Sequence, residues 1–253
     1  MDAFVILTPI LLLAVIALLG FVGCDRFYGL ENSGTFPVHH VQTTVKTADA
    51  GTDSITAQLP NLQGGELLIA TVQWRSGSVQ QPAPALTGGN FTAVPGGGPL
   101  DWNSMRIQTF IATNPPNSTS VTVEVILAGG SNITWNLAVS AYRSFDPQVP
   151  VYSPEPSDKT FIGTELAAPG ITVGAGDMVY AIAFAADNDG TFPGNNPISA
   201  GPDFTAEFTD ISNPLVEDGV SSNPVIAQAT VNPQTPNPRA FIFALGIKAK
   251  PNE

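Results

Sequence analysis

The chain has 253 residues, with 9 Lys+Arg against 21 Asp+Glu and a net charge of −12. That balance repels phosphate backbones and excludes nucleic acid as a partner, and it offers no polybasic patch to anionic lipid heads. Charged residues make up only 12% of the chain, far below the usual quarter, so Ser, Thr, Asn, Gln, Gly and Pro must cover much of the surface.

The first element is Ala3–Cys24, AFVILTPILLLAVIALLGFVGC, uncharged between Asp2 and Asp25. About 20 apolar residues at 1.5 Å rise span the hydrocarbon core of a bilayer. The run is longer than a cleavable secretory h-region and no Lys or Arg precedes it, so residues 1–24 are expected to be a retained transmembrane anchor. Phe21-Val22-Gly23-Cys24 resembles a lipobox, which makes Cys24 a candidate lipid-attachment point. Cys24 is the sole cysteine, so no internal disulfide can form. Ala17, Gly20 and Cys24 share one helical face, where small residues would let a second helix approach. Arg26 alone argues for a cytoplasmic body. The body's composition argues for the extracytoplasmic side, periplasmic or cell-surface, and outweighs it.

Residues 25–40 read as a linker, with His39 and His40 solvated at its end. A β body is then expected over residues 41–250. Val41–Thr47 alternates, Ser54–Leu59 is short, and Glu66–Trp74 is a near-continuous apolar run that suits a strand buried on both faces. Met105–Thr113, Ser120–Leu127 and Trp135–Arg143 alternate with the period of half-buried strands. Val121, Val123 and Val125 share one face, as do Trp135, Leu137, Val139 and Ala141. Trp102 lies in the Gly-rich stretch Gly96–Asn103, read as an exposed loop. There it could stack on a sugar ring or seat in a partner protein. Pro-rich residues Asp146–Ser157 read as a connection.

The pattern then recurs. Gly65-Glu66-Leu67-Leu68-Ile69-Ala70 is echoed by Gly176-Asp177-Met178-Val179-Tyr180-Ala181, and Asn90-Phe91-Thr92-Ala93 by Asp203-Phe204-Thr205-Ala206. Ile107–Asn114 pairs loosely with Ile226–Asn232, and Trp135–Arg143 with Ala240–Lys248. Two pseudo-repeats follow, about 41–146 and 150–250. The second lacks a match to Ser120–Leu127, because Thr235-Pro236-Asn237-Pro238 stands in its place and cannot supply a central strand. The expected fold is therefore all-β: one antiparallel jelly-roll-like sandwich with internal duplication, behind a transmembrane helix. Two small tandem sandwiches are the alternative.

These carriers, the G-[ED]-[LM]-[LV]-x-A strand, the [ND]-F-T-A turn and the closing LAVSAYRSFD strand, resemble those of bacterial membrane-anchored surface proteins with jelly-roll or lectin-like sandwich domains. The resemblance covers most of residues 41–250. It implies a fold and a surface location, and no activity.

Chemistry is sparse. With only two histidines, adjacent to each other, a Ser-His-Asp arrangement is hard to build. Asp203, Glu207, Asp210, Glu217 and Asp218 form the densest acidic region, read as a soluble rim, with Glu207 and Glu217 as the one carboxylate pair for a glycan hydrolase. Asp187 and Asp189, in Asp187-Asn188-Asp189-Gly190, offer hard oxygen ligands that suit Ca²⁺, though Asp-Gly also favours a plain turn. Apart from this possible Ca²⁺, no cofactor is expected. A membrane-tethered, non-catalytic structural or interaction module is the leading expectation, with other membrane or surface proteins as partners. A glycan-binding lectin-like module stands second.

Overall fold

The computed structural model describes residues 35–48, 52, 54–75, 84–102, 105–126, 135–160, 165–186, 198–208, 215–219, 224–232 and 239–252. All regular structure among them is strand, and none of it is a helix long and apolar enough to cross a membrane. Residues 1–24, with Ala17, Gly20 and Cys24, lie outside the described residues, as do Asp187 and Asp189.

The first repeat contains β2 (His39–Ala48), β3 (Ser54–Pro60), β4 (Leu67–Arg75), β5 (Ala85–Thr87), β6 (Thr92–Ala93), β7 (Leu100–Trp102), β8 (Met105–Thr113), β9 (Ser120–Ile126) and β10 (Trp135–Arg143), preceded by the short β1 (Thr35–Phe36). The second contains β11 (Val151–Thr160), β12 (Glu165–Ala167), β13 (Met178–Ala186), β14 (Ile198–Ala200), β15 (Phe204–Phe208), β16 (Leu215–Gly219), β17 (Gln228–Val231) and β18 (Arg239–Ile247), followed by β19 (Lys250–Pro251). Strands β1 and β19 pair, joining the start of the described chain to its end.

Each repeat closes its own pair of antiparallel sheets. Sheet I runs β2-β10-β4-β8-β6, with β7 also on β8, and sheet II runs β3-β9-β5. Sheet III runs β11-β18-β13-β16-β15 and sheet IV runs β12-β17-β14. Apart from β7, which has no counterpart among the described strands of sheet III, the two sets follow one order. A single sandwich shared between the repeats was the expectation, and the sheets are divided differently.

The topology also changes which segments correspond. β17 occupies the place of β9, beside β12 and β14, so the second repeat does not lack that strand. The counterpart of β8 is β16, whereas the sequence match pointed to Ile226–Asn232. β16 escapes pattern reading because its sequence, LVEDG, puts an acidic pair inside a strand whose five residues are all buried. β11 holds Pro154 and Pro156 in what read as a connection. It is an edge strand, where a missing N–H costs no ladder bond, and an irregularity between Tyr152 and Glu155 absorbs the kink.

Three hydrophobic layers hold the four sheets together. Leu68, Ala70, Val72 and Trp74 pack with Val121, Val123 and Val125 between sheets I and II. Val179, Ala181 and Ala183 pack with Ala229 and Val231 between sheets III and IV. The opposite faces of the same inner strands form the third layer, in which Leu67, Ile69, Ile107 and Tyr142 meet Tyr180, Ile182, Phe184, Phe241 and Phe243. Sheets I and III are thus covered on both faces. This is why β4, β13 and β18 read as continuous apolar runs rather than alternating ones. Within the third layer Tyr180 Oη lies 3.1 Å from Thr71 Oγ1, which lies 3.1 Å from Thr109 Oγ1.

The recurrent Gly-acid motif has a structural role in both copies. Gly65 and Gly176 each take φ of 81°, a left-handed backbone that glycine adopts without strain. The following acid then accepts from the backbone N–H three residues upstream: Gln63 to Glu66 at 2.7 Å and Gly174 to Asp177 at 2.8 Å. Each carboxylate is also tied to the far end of its repeat, by Arg143 at the end of β10 for Glu66 and by the Ala249 N–H, two residues past β18, for Asp177.

Candidate functional site

The edges of sheets I and III approach one another where β2 lies beside β15. Both edge strands carry a register shift at that point. In β2 the shift leaves Val41 as the extra residue and sets His40 opposite Tyr142. In β15 it falls between Ala206 and Phe208 and leaves Glu207 as the extra residue. Such bulges re-aim side chains at sheet edges. Alternation along β16 does the rest: Val216 and Asp218 turn toward the first repeat, while Leu215 and Glu217 turn the other way.

His40, Glu207 and Asp218 consequently converge, with one ligand atom of each lying within 4.8 Å of the others. His40 Nδ1 is 2.7 Å from Glu207 Oε2. On the other side of the ring, Nε2 is 2.9 Å from Thr43 Oγ1, which is 2.7 Å from Ser140 Oγ. The Tyr142 ring meets the imidazole edge-on at 5.4 Å between centroids, and Tyr180 at 6.3 Å. His40 and Glu207 are half-buried, with side chains 15% and 19% exposed, and Asp218 is 5% exposed. Asp218 Oδ2 and the Tyr142 hydroxyl are buried neighbours without a well-aligned hydrogen bond.

Burial governs the charges here. It pushes the His40 imidazole down to about 4, despite a bond to the Gln42 backbone, and so favours the neutral ring, while the Glu207 carboxylate 2.7 Å away works in the other direction. Burial and the neighbouring Glu207 charge push Asp218 up to about 7. Burial also raises Glu207, with a hydrogen bond to Asp218 opposing it. Two carboxylates so placed titrate as a coupled pair, each raised by burial. Tyr142, buried and close to both acids, is raised well above the ordinary phenol value. The donor set is one imidazole nitrogen and two carboxylate oxygens, which suits a divalent cation.

The acidic stretch 203–218 is therefore not only a soluble rim. Glu207 and Glu217, the pair expected for hydrolysis, face different layers of β16 and its neighbour: Glu217 Oε2 accepts from Gly201 N–H at 3.3 Å and its Oε1 has no partner. His40 lies within β2 and not in a solvated linker. Sequence reasoning could not join it to Asp218, since no spacing links a residue of the first repeat to one late in the second. Trp102 ends β7, with its backbone paired to Met105 across a hairpin with β8, where an exposed loop was expected. A separate open hollow of about 240 Å³ is lined by Val149, Tyr152, Thr172, Asp177 and Lys248. Asp177 is committed there to Tyr152, Gly174 and Ala249, so the hollow has no convergent set of free polar groups. A scan of protein-family models and a search of curated proteins both found no match to this chain.

Proposed function

We propose that this chain is a membrane-tethered, non-catalytic structural or interaction module, in which Ala3–Cys24 anchors a duplicated jelly-roll sandwich on the extracytoplasmic side. The body docks on other membrane or surface proteins. The observation that carries the reading is the apolar joint between the repeats, where Leu67, Ile69 and Tyr142 meet Tyr180, Phe241 and Phe243. It makes one stiff body of two sandwiches. Among the described residues, His40, Glu207 and Asp218 cluster at the edge of that joint, half-buried or buried. On the outward face of β3 and β9, Thr56, Gln58, Ser120 and Thr122 are exposed and polar, with Glu124 the one charge and Ile126 an exposed apolar residue among them.

Extraction of the full chain in mild detergent tests this. The expected outcome is co-purification with a stoichiometric membrane partner, and an intact mass that retains the anchor or carries lipid on Cys24. A solitary monomer, or a mass showing cleavage without lipid, overturns the tethered-module reading. Glycan-array binding lost in Trp102→Ala would replace it with a lectin-like function.

A further inference from the structure

We propose that His40, Glu207 and Asp218 are the protein ligands of a divalent transition-metal site of the zinc class, built across the seam between the two repeats. The inference stands apart from the membrane reading and does not require it. Three donors from three strands, β2, β15 and β16, already lie within 4.8 Å of one another. Ligand atoms at about 2 Å from a tetrahedral metal sit about 3.3 Å apart. Closing the site therefore requires rotamer adjustment, and the 2.7 Å contact between His40 and Glu207 opens by about half an ångström.

Two further observations point to a missing occupant. Asp218 is 95% buried, yet no well-aligned hydrogen bond reaches its Oδ2, whose near neighbour is the fully buried Tyr142 hydroxyl. Buried polar atoms of this kind are normally satisfied. A divalent ion bound to neutral imidazole and two carboxylates leaves no net charge among the three ligands and gives the Asp218 Oδ2 atom a well-placed partner. The outer nitrogen is also prepared. His40 Nε2 meets Thr43 Oγ1, itself bonded to Ser140. Metal-bound histidines commonly carry such a support on the nitrogen away from the ion, where it sets tautomer and ring orientation. An imidazole among only three donors selects zinc-class ions over calcium or magnesium. Calcium takes six to eight oxygens, and magnesium holds mostly oxygen and water in an octahedron. Three protein ligands leave one tetrahedral position for water.

The test uses the full detergent-extracted chain in a Cys24→Ser background, which removes the only thiol. The protein is stripped with chelator and titrated with Co²⁺ and Zn²⁺. The expected result is one equivalent of metal per chain, the visible absorption of tetrahedral Co²⁺, and a thermal midpoint raised by Zn²⁺ but not by Ca²⁺. His40→Ala and Asp218→Asn abolish the absorption band, whereas His39→Ala, one residue away and exposed, keeps it. Thr43→Val, which touches the ligand and not the ion, weakens binding by about 10- to 100-fold. Glu207→Gln, at the half-exposed rim, serves as the ligand variant if Asp218→Asn fails to fold. Failure to take up metal, or uptake unchanged in the ligand variants, overturns the proposal.

Discussion

Glu66 accepts hydrogen bonds from the Gln63 and Gly64 N–H groups, from the Asn114 side chain at 2.8 Å and from Arg143 at 2.8 Å, while fully buried. Burial alone would raise its pKa. The bonds from Asn114, Gln63 and Arg143 outweigh that and hold it at about 2. A folded pKa below the unfolded value stabilises the protein above the unfolded value and less as pH falls. The contribution, on the order of 2–3 kcal/mol, is expected to be complete above about pH 5 and lost as pH falls through about 2. Denaturant midpoints collected across that window measure it. Glu66→Gln keeps the shape but removes the charge, and should cost about 1–3 kcal/mol while flattening the same pH profile. An acid after glycine, repeated at a near-constant offset, was legible in the sequence as a motif. Its role was not legible, because Asn114 and Arg143 lie in distant segments that only the folded chain brings to it.

Among the elements, the strands with an uninterrupted apolar or alternating pattern were legible, and those broken by proline or acid, such as β11 and β16, were not. Met105–Thr113 and Trp135–Arg143 have the bounds that their hydrophobic runs predict. β17 has only four residues and β16 carries Glu217 and Asp218, so neither holds enough pattern to outweigh local turn signals. The two bulges that aim His40 and Glu207 have no sequence signature at all, since they arise from pairing. The assignment of β17 to the buried layer is directly testable. Val231→Asp puts a charge among Ala229, Ala181 and Ala183 and should cost more than about 3 kcal/mol or abolish folding. Thr230→Asp, on the exposed face, should change stability by less than about 0.5 kcal/mol. Thermal unfolding of the two variants separates a strand from a loop, because a loop would tolerate both.

Across the whole molecule, the shared layer couples the repeats. Phe243 belongs to the second repeat but packs in the layer that also buries Leu67 and Ile69. Phe243→Ala is expected to cost about 3–5 kcal/mol and to lower protection of β4 amides as well as β13 amides in hydrogen exchange. Loss of protection confined to the second repeat would show that the halves unfold separately. A first repeat expressed alone, residues 35–146, would leave Leu67, Ile69, Ile107 and Tyr142 uncovered. It should aggregate or dimerise through that face, as size-exclusion chromatography would reveal. The near-continuous apolar runs already implied strands covered twice, but nothing in them told which sheet would do the covering.

That double covering sets a timetable for the nascent chain. Ribosomes add about 5–20 residues per second, so the first sandwich emerges on the order of 5–20 s before the second is complete. For that interval it carries a greasy flank with no mate. A growing polypeptide in this condition is a natural client for chaperones, and slowing translation between the repeats should lower the yield of native protein rather than raise it.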